Sequence, residues 1–273
     1  RDCLLSRGLG DVYKRQGLDV AALCFEENDK LNITEYTQIC MLTTEAAIYT
    51  ALKAAGIGCD VTAGLSLGEY GALIASGAMT MRDAFAVVRK RGIYMEQAYP
   101  VGGGMSAILG LDAEKIAAIC EETAAKTNKV VSIANYNCPG QLVISGSVSG
   151  IDAACEKMLA AGAKRALKLK VGGAFHSPLM EPARAELAAA IEATPIHKPS
   201  CPVYQNVSTK GETCPETIKA NLIAQLTAPV RWTQSVQNMI ADGADHFIEL
   251  GPGAVLQGLV KKINKEVTTE GMQ

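Results

Sequence analysis

Cys59-Asp60-Val61-Thr62-Ala63-Gly64-Leu65-Ser66-Leu67-Gly68-Glu69-Tyr70-Gly71-Ala72-Leu73-Ile74-Ala75-Ser76 is the stretch whose reading decides the fold. Its first five residues are short and partly β-branched, the pattern of a buried strand, while Leu67 to Ser76 carries apolar residues at helical spacing. Between them, Gly64-Leu65-Ser66-Leu67-Gly68 has the Gly-x-Ser-x-Gly form of a nucleophile elbow. The glycines permit a turn too sharp for a β-carbon and leave the Ser66 hydroxyl exposed at a helix N-terminus. There the first helical N–H groups, that of Leu67 among them, can receive a developing oxyanion.

The chain around this turn has 273 residues, enough for one large domain or two modest ones. Hydrophobic residues make up 48% and aromatics only 5%, an aliphatic core of the kind found in helix-rich α/β proteins. A net charge of −2 argues against general nucleic-acid binding, and no apolar run approaches the length of a membrane-spanning helix. Nine cysteines lie scattered without C-x-x-C pairing, as reduced, cytosolic apolar filler does; neither a disulfide frame nor a metal site is expected, and no bound cofactor.

Upstream of the turn, residues 1–16 (RDCLLSRGLGDVYKRQ) carry no clear periodicity, and Asp11-Val12-Tyr13-Lys14-Arg15-Gln16 resembles the translation of a sequencing-library adapter. They are expected to be a non-native tail. Helices are expected from Asp19 or Val20 to Phe25 and from Thr37 to Ala55. Downstream, Thr80-Met81-Arg82-Asp83 is a capping box opening a helix to about Ala98. On that helix Ala84, Val87, Val88, Tyr94, Met95 and Ala98 form one stripe, and Arg91 falls in the middle of it. An inward guanidinium needs an anion: either a core Asp or Glu, or the carboxylate of a substrate held in a bidentate clamp. Gly92 beside it costs about 1 kcal/mol in a helix interior, which points to close approach of another group.

The order β-α-β-β-α-β over residues 102–168 is that of a ferredoxin-like unit, read here as a small domain inserted into a larger one. The larger domain takes residues 17–101 and 169–273. It resumes with a helix opened by Ser177-Pro178 and continues as alternating strands and helices, the signature of a parallel sheet covered on both faces. The fold class is therefore α/β: a hydrolase-like parallel-sheet domain with a ferredoxin-like insertion.

Of three histidines, His176 stands in a loop between a strand end and a helix start, where a positive helix end favours the neutral ring. His197 and His246 read as ordinary polar residues. Ser66 and His176 would form a nucleophile–base pair. An α/β-hydrolase places an acid between them in chain order, yet Asp83, Asp112 and Asp152 all read as helix-start residues. Something other than a carboxylate is expected to orient His176.

Gly64-Leu65-Ser66-Leu67-Gly68-Glu69-Tyr70, Arg91-Gly92, Asn135-Tyr136-Asn137-Cys138-Pro139-Gly140-Gln141, Gly173-Ala174-Phe175-His176-Ser177, Pro229-Val230-Arg231-Trp232 and Glu249-Leu250-Gly251-Pro252-Gly253 together resemble the malonyl-CoA:acyl-carrier-protein transacylase family, in order, over residues 17–265. The resemblance implies a cytoplasmic acyltransferase of fatty acid biosynthesis. It would move malonyl from malonyl-CoA to the phosphopantetheine thiol of an acidic acyl carrier protein, through a malonyl-serine intermediate. It implies Ser66 as nucleophile, His176 as base and then acid, and Arg91 as the clamp on the malonyl carboxylate. A glutamine carbonyl, matched by Gln225, orients the histidine in this family; the Leu67 N–H serves the oxyanion, Gln38 lines the pocket, and Phe175 goes with malonyl-using members.

Two departures stand out. Leu65 replaces a histidine common in relatives, at a position without chemistry. The family also opens with a strand and a Pro-Gly-Gln-Gly loop supplying a second oxyanion N–H, which this sequence does not show; a shortened copy with one oxyanion donor fewer is expected. Two rival readings stand beside it: a serine esterase or thioesterase of α/β-hydrolase type with the same nucleophile, and a truncated non-catalytic carrier-docking module, whose mark would be loss of Ser66, His176 or Arg91, all of which are present.

Overall fold

The structure, a computed structural model, describes residues 18–273. The expectation for residues 1–16 therefore lies outside the described residues. The first half of the described chain holds α1 (Val20–Phe25), α2 (Thr34–Ala54), β1 (Thr62–Ala63), α3 (Gly68–Ala75) and α4 (Met81–Ala98). Then come β2 (Gly103–Leu109), α5 (Ala113–Thr127), β3 (Val131–Cys138), β4 (Gln141–Ser147), α6 (Val148–Ala160) and β5 (Arg165–Lys168). The chain closes with α7 (Glu181–Glu192), β6 (Val203–Tyr204), β7 (Gly211–Glu212), α8 (Pro215–Gln225), α9 (Trp232–Ala241), β8 (His246–Leu250), α10 (Val255–Ile263) and β9 (Thr268–Met272).

The segment from β2 to β5 has the expected β-α-β-β-α-β order. Its four strands pair antiparallel as β3-β4-β2-β5, the ferredoxin-like arrangement. Ile108, Ile116, Ile144, Ile151 and Met158 fill an apolar core beneath α5 and α6 that is separate from the main one. A main-chain bridge between Asn135 and Val230 ties β3 to the rest of the molecule.

The main core is helical: Ile39, Leu42, Leu73, Phe85, Val88, Leu187 and Leu222 come together from α2, α3, α4, α7 and α8. The capping box is present, Thr80 Oγ1 accepting from the Asp83 N–H. Gly92 lies against the first turn of α2, where an added Cβ would stand 3.0 Å from the Glu35 Cα.

The larger sheet is less continuous than its sequence suggests. β1 pairs parallel with β6 over two residues only, Thr62 with Val203 and Ala63 with Tyr204, so the strand read from Cys59 enters the ladder late. β7 adds antiparallel to β6, and β8 pairs parallel with β9, a strand the sequence pattern did not reveal. Among the described residues the two pieces share no ladder. A cavity of about 560 Å³ separates them, lined by Glu45, Thr62 and Gly64 on one side and Phe247, Leu250 and Leu256 on the other.

Candidate active site

β1 delivers the chain to the elbow, and Ser66 there has φ 53°, a left-handed conformation rare for a residue with a side chain. Gly64 makes the turn possible: a Cβ on it would lie 1.9 Å from the Gly68 carbonyl carbon. Asn206, just past β6, holds the turn in place. Its Oδ1 accepts from the Ser66 N–H (2.6 Å) and its Nδ2 donates to the Gly64 carbonyl (2.7 Å). The Leu67 N–H, in contrast, has no acceptor among the described residues and remains free at the start of α3.

Ser66 Oγ donates to His176 Nε2 at 2.7 Å. His176 is also left-handed (φ 55°) and buried, and its Nδ1 lies 2.9 Å from the Gln225 main-chain carbonyl. That carbonyl only accepts, so the ring proton sits on Nδ1 and Nε2 is the acceptor for the serine hydroxyl. Burial, and then the Arg91 charge, push the His176 pKa down to about 4, so the ring is neutral near pH 7. The cause is thus desolvation and a neighbouring cation. Asp83 is engaged at the start of α4 and Asp152 pairs with Lys168, so neither reaches His176.

Arg91 is 1% exposed on the inward stripe of α4. Its Nη1 donates to Gln38 Oε1 at 2.6 Å, and its Nη2 donates to Ser66 Oγ and to Gln225 Oε1, each at 3.0 Å. All three acceptors are neutral. Among the described residues no carboxylate lies within ion-pair distance of it, and the buried Nε has no acceptor. Burial lowers the Arg91 pKa, opposed by Tyr70 and Glu69; the Tyr70 ring lies 5.8 Å from the guanidinium. Gln38 is held by donating to Thr34 Oγ1, and Phe175, half-buried, packs between the main core and the sheet of β2–β5.

Ser66, Leu67, His176, Arg91, Gln225 and Gln38, spread over 188 residues of sequence, thus meet in one place, with Phe175 beside them. His197 and His246 stay on the surface. Two residues of the cluster escaped the sequence reading. Asn206 had no signal beyond its place after a strand. Glu69, quoted only as part of a motif, turns out to be fully buried, and burial raises its pKa to about 7.

A hydroxyl poised on a neutral imidazole beside an uncompensated guanidinium can take an acyl group that carries a carboxylate. Comparison with known proteins agrees. The acyl transferase domain family matches residues 10–272. A malonyl CoA-acyl carrier protein transacylase of Bacillus subtilis (strain 168) is 46% identical over 252 residues, 92% of this chain and 79% of that protein. The chain belongs to the malonyl CoA-acyl carrier protein transacylase family. Two solved structures of family members superpose on it with a TM-score of 0.94. One is an acyl carrier protein S-malonyltransferase from Vibrio cholerae, 39% identical, covering 98% of this chain and 88% of its own. The other is a malonyl-transacylase in complex with its type II PKS acyl-carrier protein, 37% identical, covering 98% and 87%. Among the described residues no helix is long and apolar enough to cross a membrane.

Proposed function

We propose that this chain transfers malonyl from malonyl-CoA to the phosphopantetheine thiol of an acyl carrier protein, in the cytoplasm, as a step of fatty acid biosynthesis. One observation carries the reading: Ser66 Oγ lies between His176 Nε2 and Arg91 Nη2, with no carboxylate on the arginine among the described residues. In the first half-reaction His176 Nε2 takes the Ser66 proton as Oγ attacks the thioester carbonyl. The tetrahedral oxygen is received by the Leu67 N–H. Collapse breaks the carbon–sulfur bond, and the imidazolium returns its proton to the departing coenzyme A sulfur. Malonyl is left as an ester on Ser66. In the second half, His176 takes the proton of the carrier thiol, the sulfur attacks the ester, and the proton returns to Ser66 Oγ.

Gln225 has two roles in this scheme: its carbonyl fixes the His176 tautomer, and its side-chain amide, with Gln38, steadies the guanidinium. Arg91 selects the acyl group, because an acetyl group would leave the buried cation without an anion. The same reading makes residues 17–101 and 169–273 the catalytic domain and 102–168 the smaller domain that closes the crevice, with Phe175 at the junction.

The test is transfer to holo carrier protein, followed by mass of the carrier. The enzyme should load malonyl in strong preference to acetyl, and should load nothing onto carrier lacking the phosphopantetheine arm. Arg91→Ala should lose about ten- to a hundredfold in malonyl transfer, the worth of a charge-assisted hydrogen-bond pair, and should narrow the gap to acetyl. An unchanged acyl preference would contradict the clamp, and rapid release of free malonate would favour a hydrolase.

A further inference from the structure

Glu69 is a carboxyl group for which the reaction above has no use. It sits three residues beyond Ser66 in the first turn of α3, and none of it reaches solvent. Its oxygens accept from the Asn206 N–H at 2.5 Å and, more weakly, from Gln205 Nε2 at 3.4 Å. Among the described residues no cation lies within ion-pair distance of it. Arg91 attracts it without touching it, and the Gln225 side-chain amide bonds to the guanidinium. The site therefore holds one buried cation and one buried acid that are close but unpaired.

The groups facing Glu69 can be named from each element. α4 presents Arg91, and its own helix presents Tyr70. The segment after β6 presents Gln205 and Asn206, and α8 presents Gln225, all neutral. His176, across Ser66, is neutral as well. Burial raises the Glu69 pKa to about 7, with the Asn206 N–H, the two glutamine amides and Arg91 pulling it back. A carboxylate arriving on Arg91 would add a second negative charge near a carboxyl group that is itself fully buried. A like charge nearby drives a buried acid towards its neutral form.

Building on the malonyl reading, we propose that Glu69 takes a proton from solvent as the substrate carboxylate binds, so that the buried site never holds two negative charges at once. Glu69 is then a positioning residue for charge, acting on the substrate through Arg91. An acid retained only for structure would show no linkage between substrate charge and proton uptake.

Calorimetry of malonyl-CoA binding to the Ser66→Ala variant, in two buffers of different ionisation enthalpy, tests this. Net proton uptake is expected, about half a proton at pH 7 and more at pH 8, with affinity weakening towards about tenfold per pH unit above 7. Acetyl-CoA, and malonyl-CoA with the Ser66→Ala/Glu69→Gln variant, should show neither that uptake nor that slope. Equal uptake for malonyl-CoA and acetyl-CoA overturns the proposal, as does uptake unaltered by Glu69→Gln. If the glutamine variant does not fold, the comparison of the two acyl-CoAs on Ser66→Ala alone decides. A complete lack of malonyl-CoA binding would strike the transacylase reading itself, and the role of Glu69 would fall with it.

Discussion

In the proposed mechanism His176 shows how much of the chemistry rests on single side chains. Its ring is neutral because burial, and then the Arg91 charge, hold its pKa at about 4. In that mechanism the base form is therefore retained as pH falls from 7 to about 5 and is lost only below about 4. A pre-steady-state acylation profile should show that late acid limb; a limb near the ordinary histidine value would contradict the burial argument. Ser66, His176 and Arg91 were legible in the sequence because each broke a local rule: a serine in a glycine turn, a histidine at a strand-to-helix junction, a charge on an apolar stripe. Gln38 and Gln225 were legible only through family resemblance. Asn206 was not legible at all, since its partners are main-chain groups of Gly64 and Ser66, about 140 residues away.

The elbow makes unequal demands on its two glycines, although the motif treats them alike. A Cβ on Gly64 would collide with the backbone of Gly68 and Glu69, at 1.9 to 2.4 Å, whereas one on Gly68 meets nothing within 4 Å. Gly64→Ala should abolish folding of the turn and with it acylation, while Gly68→Ala should keep the thermal midpoint within a few degrees. Circular dichroism melts of the two variants check this, and equal behaviour would contradict the geometry. The helices were read nearly to their ends because their periodicity is local; those expected up to Phe25 and from Thr80 to Ala98 appear as α1 and α4. The two-residue strands β1, β6 and β7 exist only through pairing with distant partners, and that is invisible in a linear pattern. β9, with Thr268, Thr269, Glu270 and Gly271, lacks the apolar alternation that marks a strand.

Across the molecule, two buried groups, Glu69 and His176, and the partly buried Glu45 set an unusual pH dependence of stability. Among the described residues Glu45 has an oxygen without a partner at the cavity between the sheet pieces, and burial raises its pKa to about 7, as it does for Glu69. For both acids the folded state binds protons more readily than the unfolded one. Their contribution is full below pH 4.5 and is lost as pH rises through about 7. His176 acts in the opposite sense: its lowered pKa costs stability as pH falls from 6.5 towards about 4. Two acids outweigh one imidazole, so the melting temperature should decline from pH 5 to pH 7, and Glu45→Gln should flatten the decline. A melting temperature that rises over that range would show that one of these groups is solvated.

The convergence of hydroxyl, imidazole and guanidinium in one crevice is tested most directly by intact mass spectrometry after brief exposure to malonyl-CoA. A single malonyl adduct is predicted, mapping to Ser66, absent in Ser66→Ala and scarcely formed from acetyl-CoA. An adduct on another residue, or equal labelling by acetyl-CoA, would contradict the account.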